Sequence, residues 1–366
     1  MGGEPPFSPT HGKRTKVSAS PKDDRPVGVL LLNLGSPDAP TSAAVRRYLR
    51  QFLSDPRVLD FPAAIRRVLL ETIILPIRSS KSAKLYQNIW DPTTGSPLLH
   101  FSAELRHKVA GELGENFVVR HAMRYGSPSI AQAWSELRAA GVRHVIVMPL
   151  YPQETSSTIG SALDELRKVQ ANDWVPTPVS VIPAFYTDEG FLASLTEVTA
   201  ETLAAHDVEH VLFSFHSIPQ RHITKGDATG THCFVADQCC SDLTSNVAAG
   251  CYRAQCLRTA QAVAQRLELP SWSVSFQSRL GRIPWVEPYT DLELARLAQS
   301  GIRRIAVTCP AFVADNLETV EEIDIRGRAQ WAAAGGEELV LVPGLNDRPS
   351  WVQAVVALVR SHHVPA

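Results

Sequence analysis

Val211-Leu-Phe-Ser-Phe-His-Ser-Ile-Pro219 is an apolar, aromatic run that ends abruptly in a histidine. A run of this length and composition reads as a short strand, and Ser217, Ile218 and Pro219 mark its end. His216 therefore stands at the C-terminal end of a strand, the end at which open α/β sheets bind ligands. A second stretch, Pro310-Ala-Phe-Val-Ala-Asp-Asn-Leu-Glu-Thr-Val-Glu-Glu322, passes from an apolar run into helix-forming sequence, and its carboxylates are expected to face His216.

Working outward, similar runs recur at Val27–Leu34, Phe117–Met123, His144–Leu150, Val179–Phe185, His210–Phe215, Trp272–Gln277, Ile305–Cys309 and Leu339–Val342, with helical stretches between them. This alternation is the pattern of parallel sheets buried on both faces. The fold expected is α/β in two halves of four strands, residues 26–172 and 173–366, joined near residues 171–190. The second half carries a cysteine-rich insertion at 228–256, and the C-terminal helix is expected to pack back on the first domain. Neither G-x-G-x-x-G nor a P-loop lysine pattern follows the first strand, so no nucleotide is expected.

The chain has 366 residues, too many for one ordinary core. It is 44% hydrophobic and 20% charged, in the range of water-soluble globular proteins, and its net charge of −1 argues against nucleic acid as a partner. No run approaches the ~20 apolar residues of a membrane-spanning helix. Residues 1–25 lack periodicity and an apolar signal region, and read as a disordered tail. A cytoplasmic protein with reduced or metal-bound thiols is expected.

Phe61 to Ile77 is strongly apolar, flanked by Arg66, Arg67 and Arg78, and is expected to end at Pro76. It reads either as a core helix or as a lip over an apolar ligand or membrane surface. Tyr151, after the third strand, and Arg124 with Tyr125, after the second, bring further side chains to strand ends. The hydroxyls of Ser156, Ser157 and Thr158 are expected to cap the next helix.

His216 is either a packed core residue or a neutral imidazole able to accept a proton or bind a borderline metal such as Fe²⁺. Glu318 has two readings as well. It is the N3 member of a capping box begun by Asp315, or it forms a functional pair with Glu322 at i, i+4. Five of the six cysteines crowd into Cys233, Cys239, Cys240, Cys251 and Cys256, a density that points to zinc or an iron–sulfur cluster. Cys309 reads as a small core residue.

Seven motifs decide between these readings: Leu31-Leu-Asn-Leu-Gly-Ser-Pro-Asp-Ala-Pro40, Tyr48-Leu-Arg-Gln-Phe-Leu-Ser-Asp55, Gly95-Ser-Pro97, Met148-Pro-Leu-Tyr-Pro-Gln153 with Gly160-Ser161, Phe213-Ser-Phe-His-Ser-Ile-Pro219, Phe276-Gln-Ser-Arg-Leu-Gly-Arg-Ile-Pro-Trp285 and Asp315-Asn-Leu-Glu-Thr-Val-Glu-Glu322. In this order they resemble the ferrochelatase family. The resemblance implies two Rossmann-like domains around a porphyrin cleft, and insertion of substrate Fe²⁺ into protoporphyrin IX to give protohaem with release of two protons. The alternatives are coproporphyrin or another tetrapyrrole as substrate, or a non-catalytic tetrapyrrole-binding protein.

By the same resemblance His216 is the site histidine and Glu318 its carboxylate partner, with Glu322 on a possible iron path. Asn33 and Leu34 would lie near the porphyrin face, Arg78, Tyr86, Arg124 and Tyr125 near its edge or propionates, and Tyr151 and Trp285 along the cleft. The insertion resembles those holding a [2Fe–2S] cluster, for which Cys233, Cys240, Cys251 and Cys256 are favoured and Cys239 is a substitute for Cys240. Asn316 and Arg326 depart from residues found in some members. Peripheral contact with the inner face of the membrane and with neighbouring haem-pathway enzymes completes the expectations.

Overall fold

The structure, a computed structural model, describes residues 24–235, 239–240, 246–279, 281 and 283–363. Most of the expected tail, and residues 236–238 and 241–245 of the insertion, lie outside the described residues.

The expected α/β architecture is present as two four-stranded parallel sheets. The strands are β1 (Val27–Asn33), β2 (Phe117–Met123), β3 (His144–Pro149), β4 (Val179–Val181), β5 (His210–His216), β6 (Trp272–Gln277), β7 (Arg304–Thr308) and β8 (Glu338–Leu341). Their orders, β2-β1-β3-β4 and β6-β5-β7-β8, are the same topology repeated. In such an order the connections reverse direction between β1 and β3 and again between β5 and β7, creating a crevice at the carboxyl ends of those strands. Asn33 and Tyr151 mark one crevice; His216 and the segment after Thr308 mark the other.

Side chains alternate across each strand. In β1, Val29 and Leu31 enter a core shared with Phe213 and Phe215 of β5, whereas Leu30 and Leu32 pack with Trp134 on the other face. One continuous apolar core thus joins the two halves. Trp351, Val355 and Val359 of the Pro349–Ser361 helix belong to it, and that helix packs on the Pro97–Leu113 helix. Because β4 pairs with β3, the first sheet extends to residue 181, and the expected boundary at 172 falls too early.

The 61–77 segment corrects two expectations. Ala63–Leu69 (α), Leu70–Ile74 (π) and Leu75–Ile89 (α) run end to end, so Pro76 does not stop the helix. It falls in the first turn of the α-helix that resumes after the π segment, where an N–H can be spared. Nor is this a core helix throughout: Leu70 and Leu75 are buried, but Ile65, Val68, Ile73 and Ile77 are 51–62% exposed.

Candidate active site

β5 ends in His216, whose imidazole is half-buried and lies edge-on to Phe312, with ring centres 6.2 Å apart. Its Nδ1 is 2.5 Å from the Ser217 carbonyl oxygen. A carbonyl can only accept, so Nδ1 carries the proton and Nε2 keeps its lone pair. Burial holds the imidazole below its ordinary pKa, opposed by the charge of Glu322 and by the bond to Ser217. The ring is neutral at neutral pH and can accept a proton or a metal at Nε2.

The carboxylates sit on a helix, Leu317–Gly327, built with π-type hydrogen bonding. Its cap differs from the expected Asp315–Glu318 box. The Asn316 side chain accepts from the backbone N–H groups of Glu318 (2.9 Å) and Thr319 (3.0 Å), and the Thr319 hydroxyl accepts from the Asn316 N–H at 3.0 Å. Asp315 instead accepts from Asn346 at 2.7 Å. The capping box is thus made by Asn316 and Thr319, without Glu318 as its N3 member.

Glu318 is half-buried, and burial raises its carboxyl pKa to about 7, with the charges of Glu322 and Glu321 adding to the rise. It therefore holds or yields a proton near neutral pH. Its charge acts on Tyr48 and Tyr86 of the first half, whose side chains are buried. Leu317 and Val320 seat the same helix against Val45 and Tyr86. Glu322 turns the other way. Its Oε1 accepts from the Ser278 N–H at 3.0 Å, its Oε2 from the Ser278 hydroxyl, and its charge bears on His216.

At the strand ends of the first half, Asn33 is buried, donating to Ser102 Oγ at 3.3 Å and accepting from the Leu34 N–H at 2.8 Å. Tyr151 is buried with a hydroxyl that has no hydrogen-bond partner among the described residues. Trp285 is half-buried and bridges Pro219, just beyond His216. Arg78 is exposed on the Leu75–Ile89 helix.

Arg124 and Tyr125 are placed differently from the expected ligand edge. The Arg124 guanidinium pairs with Asp55 at 2.6 Å and donates to Ser161 Oγ at 2.7 Å, while the fully buried Tyr125 donates to Asp55 at 2.9 Å. Both are committed to an internal network. The expected caps are also corrected, since Thr155, not Ser156, Ser157 or Thr158, accepts from the Thr158 N–H at the start of Ser156–Gly160.

Thiols of the insertion approach one another in pairs, and among the described residues no group of three or more Cys, His, Asp or Glu side chains is arranged to hold a metal ion. Cys239 and Cys240 sulfurs are 3.9 Å apart, and Cys251 lies within hydrogen-bonding reach of Cys240 and Cys233. Cys251 is the N-cap of the Tyr252–Arg266 helix, and its bond from Cys240 together with the Ala254 and Arg253 backbone N–H groups lowers its thiol pKa to about 6. A thiolate is the form that binds metal. Cys256, fully buried, contacts Tyr252 and lies near Cys251. Cys233 and Cys251 also line a cavity of about 420 Å³. Cys309 is buried beside Gln277, as expected of a core residue.

A family model described as Ferrochelatase matches residues 26–363. The chain belongs to the ferrochelatase family. Its curated relatives include ferrochelatases of Coxiella burnetii (strain CbuK_Q154), 45% identical over 350 residues covering 95% of this chain and 97% of theirs, and of Pseudomonas fluorescens (strain Pf0-1), 47% identical over 332 residues covering 90% and 96%. The ferrochelatase of Azotobacter vinelandii is 46% identical over 335 residues, covering 91% and 98%.

Membership gives the enzyme class, a metal-chelating lyase. Several members of this site were not singled out from sequence: Ser278, Gln277, Tyr48, Asp55 and Tyr252. Ser278, which anchors Glu322, has φ of 68°, unusual for a residue other than glycine, and nothing in a serine's identity announces that.

Proposed function

We propose that this chain inserts Fe²⁺ into protoporphyrin IX, giving protohaem and two protons, the terminal step of haem formation. The observation that supports the proposal is a neutral imidazole protonated at Nδ1, His216, at the end of β5, together with a carboxyl poised near pH 7, Glu318, on the helix after β7 whose Glu322 bears on His216. Metallation must take two protons from pyrrole nitrogens and bring a dication to a flat, apolar ring. His216 Nε2 accepts a proton or holds the incoming metal, and Glu318, uncommitted to capping, receives or passes one on. Walls that bind a bent macrocycle better than a flat one lower the barrier.

Glu322 acts through His216. Its charge offsets part of the burial that disfavours imidazolium, so the ring can take a proton transiently. Arg326 pairs with Glu321 at 2.9 Å and lies 3.8 Å from Glu322, so a cation of the protein itself occupies this end of the acidic helix face. Iron approaching Glu322 along this face displaces or passes that guanidinium.

A [2Fe–2S] cluster held by Cys233, Cys240, Cys251 and Cys256, with Cys239 the substitute for Cys240, is part of the same proposal. The approach of Cys251 to Cys240 and Cys233, and of Cys239 to Cys240, supports this reading. Bound there, it would cross-link the insertion to the Tyr252–Arg266 helix, and insertion of iron into the ring needs no electron from it.

No helix among the described residues is long and apolar enough to cross a membrane. We place the protein in the cytoplasm, touching the membrane through the exposed Ile65, Val68, Ile73 and Ile77 with Arg66, Arg67 and Arg78 alongside.

Anaerobic steady-state assay with Fe²⁺ and either protoporphyrin IX or coproporphyrin tests the reading. Faster metallation of protoporphyrin is expected. Preference for coproporphyrin overturns the substrate assignment, and binding without metallation makes the chain a carrier.

A further inference from the structure

The carbonyl of His216 lies at the end of β5, in the last peptide unit of its ladder. The next residue, Ser217, donates its N–H to the Gln277 carbonyl at 2.7 Å, closing the ladder with β6. A buried carbonyl left unpaired at such a point is costly, and the strand end would be free to rotate. The partner comes from the insertion side: the Tyr252 hydroxyl donates to the His216 carbonyl oxygen at 2.7 Å. Tyr252 is 6% exposed, so its ring is fixed by packing.

Tyr252 is the first residue of the helix capped by Cys251. One turn further, Gln255 accepts from the Glu154 N–H at 2.7 Å and donates to the Ala249 carbonyl at 2.8 Å. After another turn, the Thr259 hydroxyl accepts from the Gln153 side chain at 3.1 Å and donates to the Tyr186 carbonyl at 3.0 Å. Gln255 and Thr259 share one helix face at i and i+4, and both are buried. Thus a single helix, begun by a thiol, holds His216 in the second half and the loop after Tyr151 in the first.

We propose that Tyr252 is a positioning residue for His216, and that the Cys251-capped helix carries the state of the thiol group to both walls of the crevice. The second half of this proposal rests on the reading that the thiols hold a cluster. Cys251 and Tyr252 are adjacent, so a displacement of the thiol when the group is empty moves the hydroxyl that holds the His216 carbonyl. Coupling of this kind needs a contiguous, rigid path, and one backbone step followed by one hydrogen bond is such a path.

The test begins with Tyr252→Phe, which removes the hydroxyl and keeps the ring. Loss of one neutral hydrogen bond predicts kcat about three- to tenfold lower with the porphyrin KM changed by less than about twofold. Unchanged kcat overturns the positioning role. The relay is read from the His216 imidazole NMR signal in protein labelled at histidine, assigned by its disappearance in His216→Ala. Cys233→Ser is expected to shift that signal when Tyr252 is present and to leave it in place when combined with Tyr252→Phe. Equal shifts in both backgrounds, or no shift in either, overturn the relay.

Removing the cluster from the wild-type protein with a chelator gives the same reading without a substitution, should a variant not fold: a shift supports the relay and its absence overturns it. A wild-type protein that is colourless as isolated anaerobically removes the cluster reading, and with it the relay. The kcat effect of Tyr252→Phe then still decides the positioning role on its own.

Discussion

Glu322 is the carboxylate whose charge bears on His216, and Ser278 fixes it there through its backbone N–H and its hydroxyl. Glu318, four residues earlier on the same helix, acts on Tyr48 and Tyr86 instead. The two carboxylates therefore serve opposite walls, and their substitutions should separate.

For Glu322→Gln, the loss of a negative charge lowers the His216 pKa further below its ordinary value near 6.5. The imidazole then stays neutral to lower pH, and the acid limb of the kcat/KM profile moves down in pH. A rate profile against pH in the two proteins checks this; a limb that moves up contradicts it. The same depressed pKa makes His216 a source of acid lability, since below its ordinary value the unfolded chain binds a proton that the folded chain resists.

For Glu318→Gln, removal of a group that gives and takes a proton predicts kcat lower by about 10²–10⁴-fold. Stability should change in the opposite sense. The folded-state pKa of about 7 lies above the ordinary carboxylate value, so the buried charge is unfavourable above pH 7 and the penalty fades as pH falls toward the unfolded value. The glutamine protein should melt higher than wild type at pH 8.5 and show little advantage at pH 5. Thermal melts across that range measure it.

The Arg124–Asp55 pair is buried, with side-chain exposures of 9% and 4%. Breaking such a pair by removing one partner costs about 3–5 kcal/mol, because the other charge is left alone. Arg124→Met should therefore lower the denaturation midpoint markedly. Were Arg124 a propionate ligand, as the family resemblance implied, the main effect would fall on porphyrin KM with stability kept.

Serine at Cys233, Cys251 or Cys256, or at Cys239 and Cys240 together, should bleach the thiolate-to-iron absorption of the isolated protein, whereas Cys309→Ser, which touches only Gln277 among the polar groups named, should leave it intact. Iron and sulfide analysis of each variant checks the series. A wild-type protein carrying zinc and no colour contradicts the cluster.

The exposed apolar face of the 63–89 helix predicts membrane association that a charge would abolish. Ile73→Asp with Ile77→Asp should reduce sedimentation with anionic vesicles while leaving metallation of detergent-dispersed porphyrin largely unchanged, since neither residue is buried. Undiminished sedimentation contradicts the assignment of this face.

Much of this was legible in the sequence because it rests on periodicity. The eight strands, the thiol crowding and the strand-end place of His216 all follow from short-range patterns. The hydroxyl of Tyr252 on the His216 carbonyl was not legible, because it joins residues 36 apart whose proximity depends on the fold. Nor was the choice of Asn316 over Asp315 as cap, which turns on one residue of register. The bonds of Arg124 and Tyr125 to Asp55, about 70 residues away, were not legible either, because a strand end carries the same local sequence whether its side chains meet a ligand or an internal network. Pro76 misled because a π segment upstream relaxes the demand for its missing N–H.

The most direct test is single-turnover metallation of enzyme-bound protoporphyrin IX by Fe²⁺ in wild type and in His216→Ala, followed by the porphyrin spectrum under anaerobic conditions. The account predicts that both proteins bind the porphyrin and that only wild type converts it to haem at a measurable rate. Conversion by His216→Ala at the wild-type rate would contradict it.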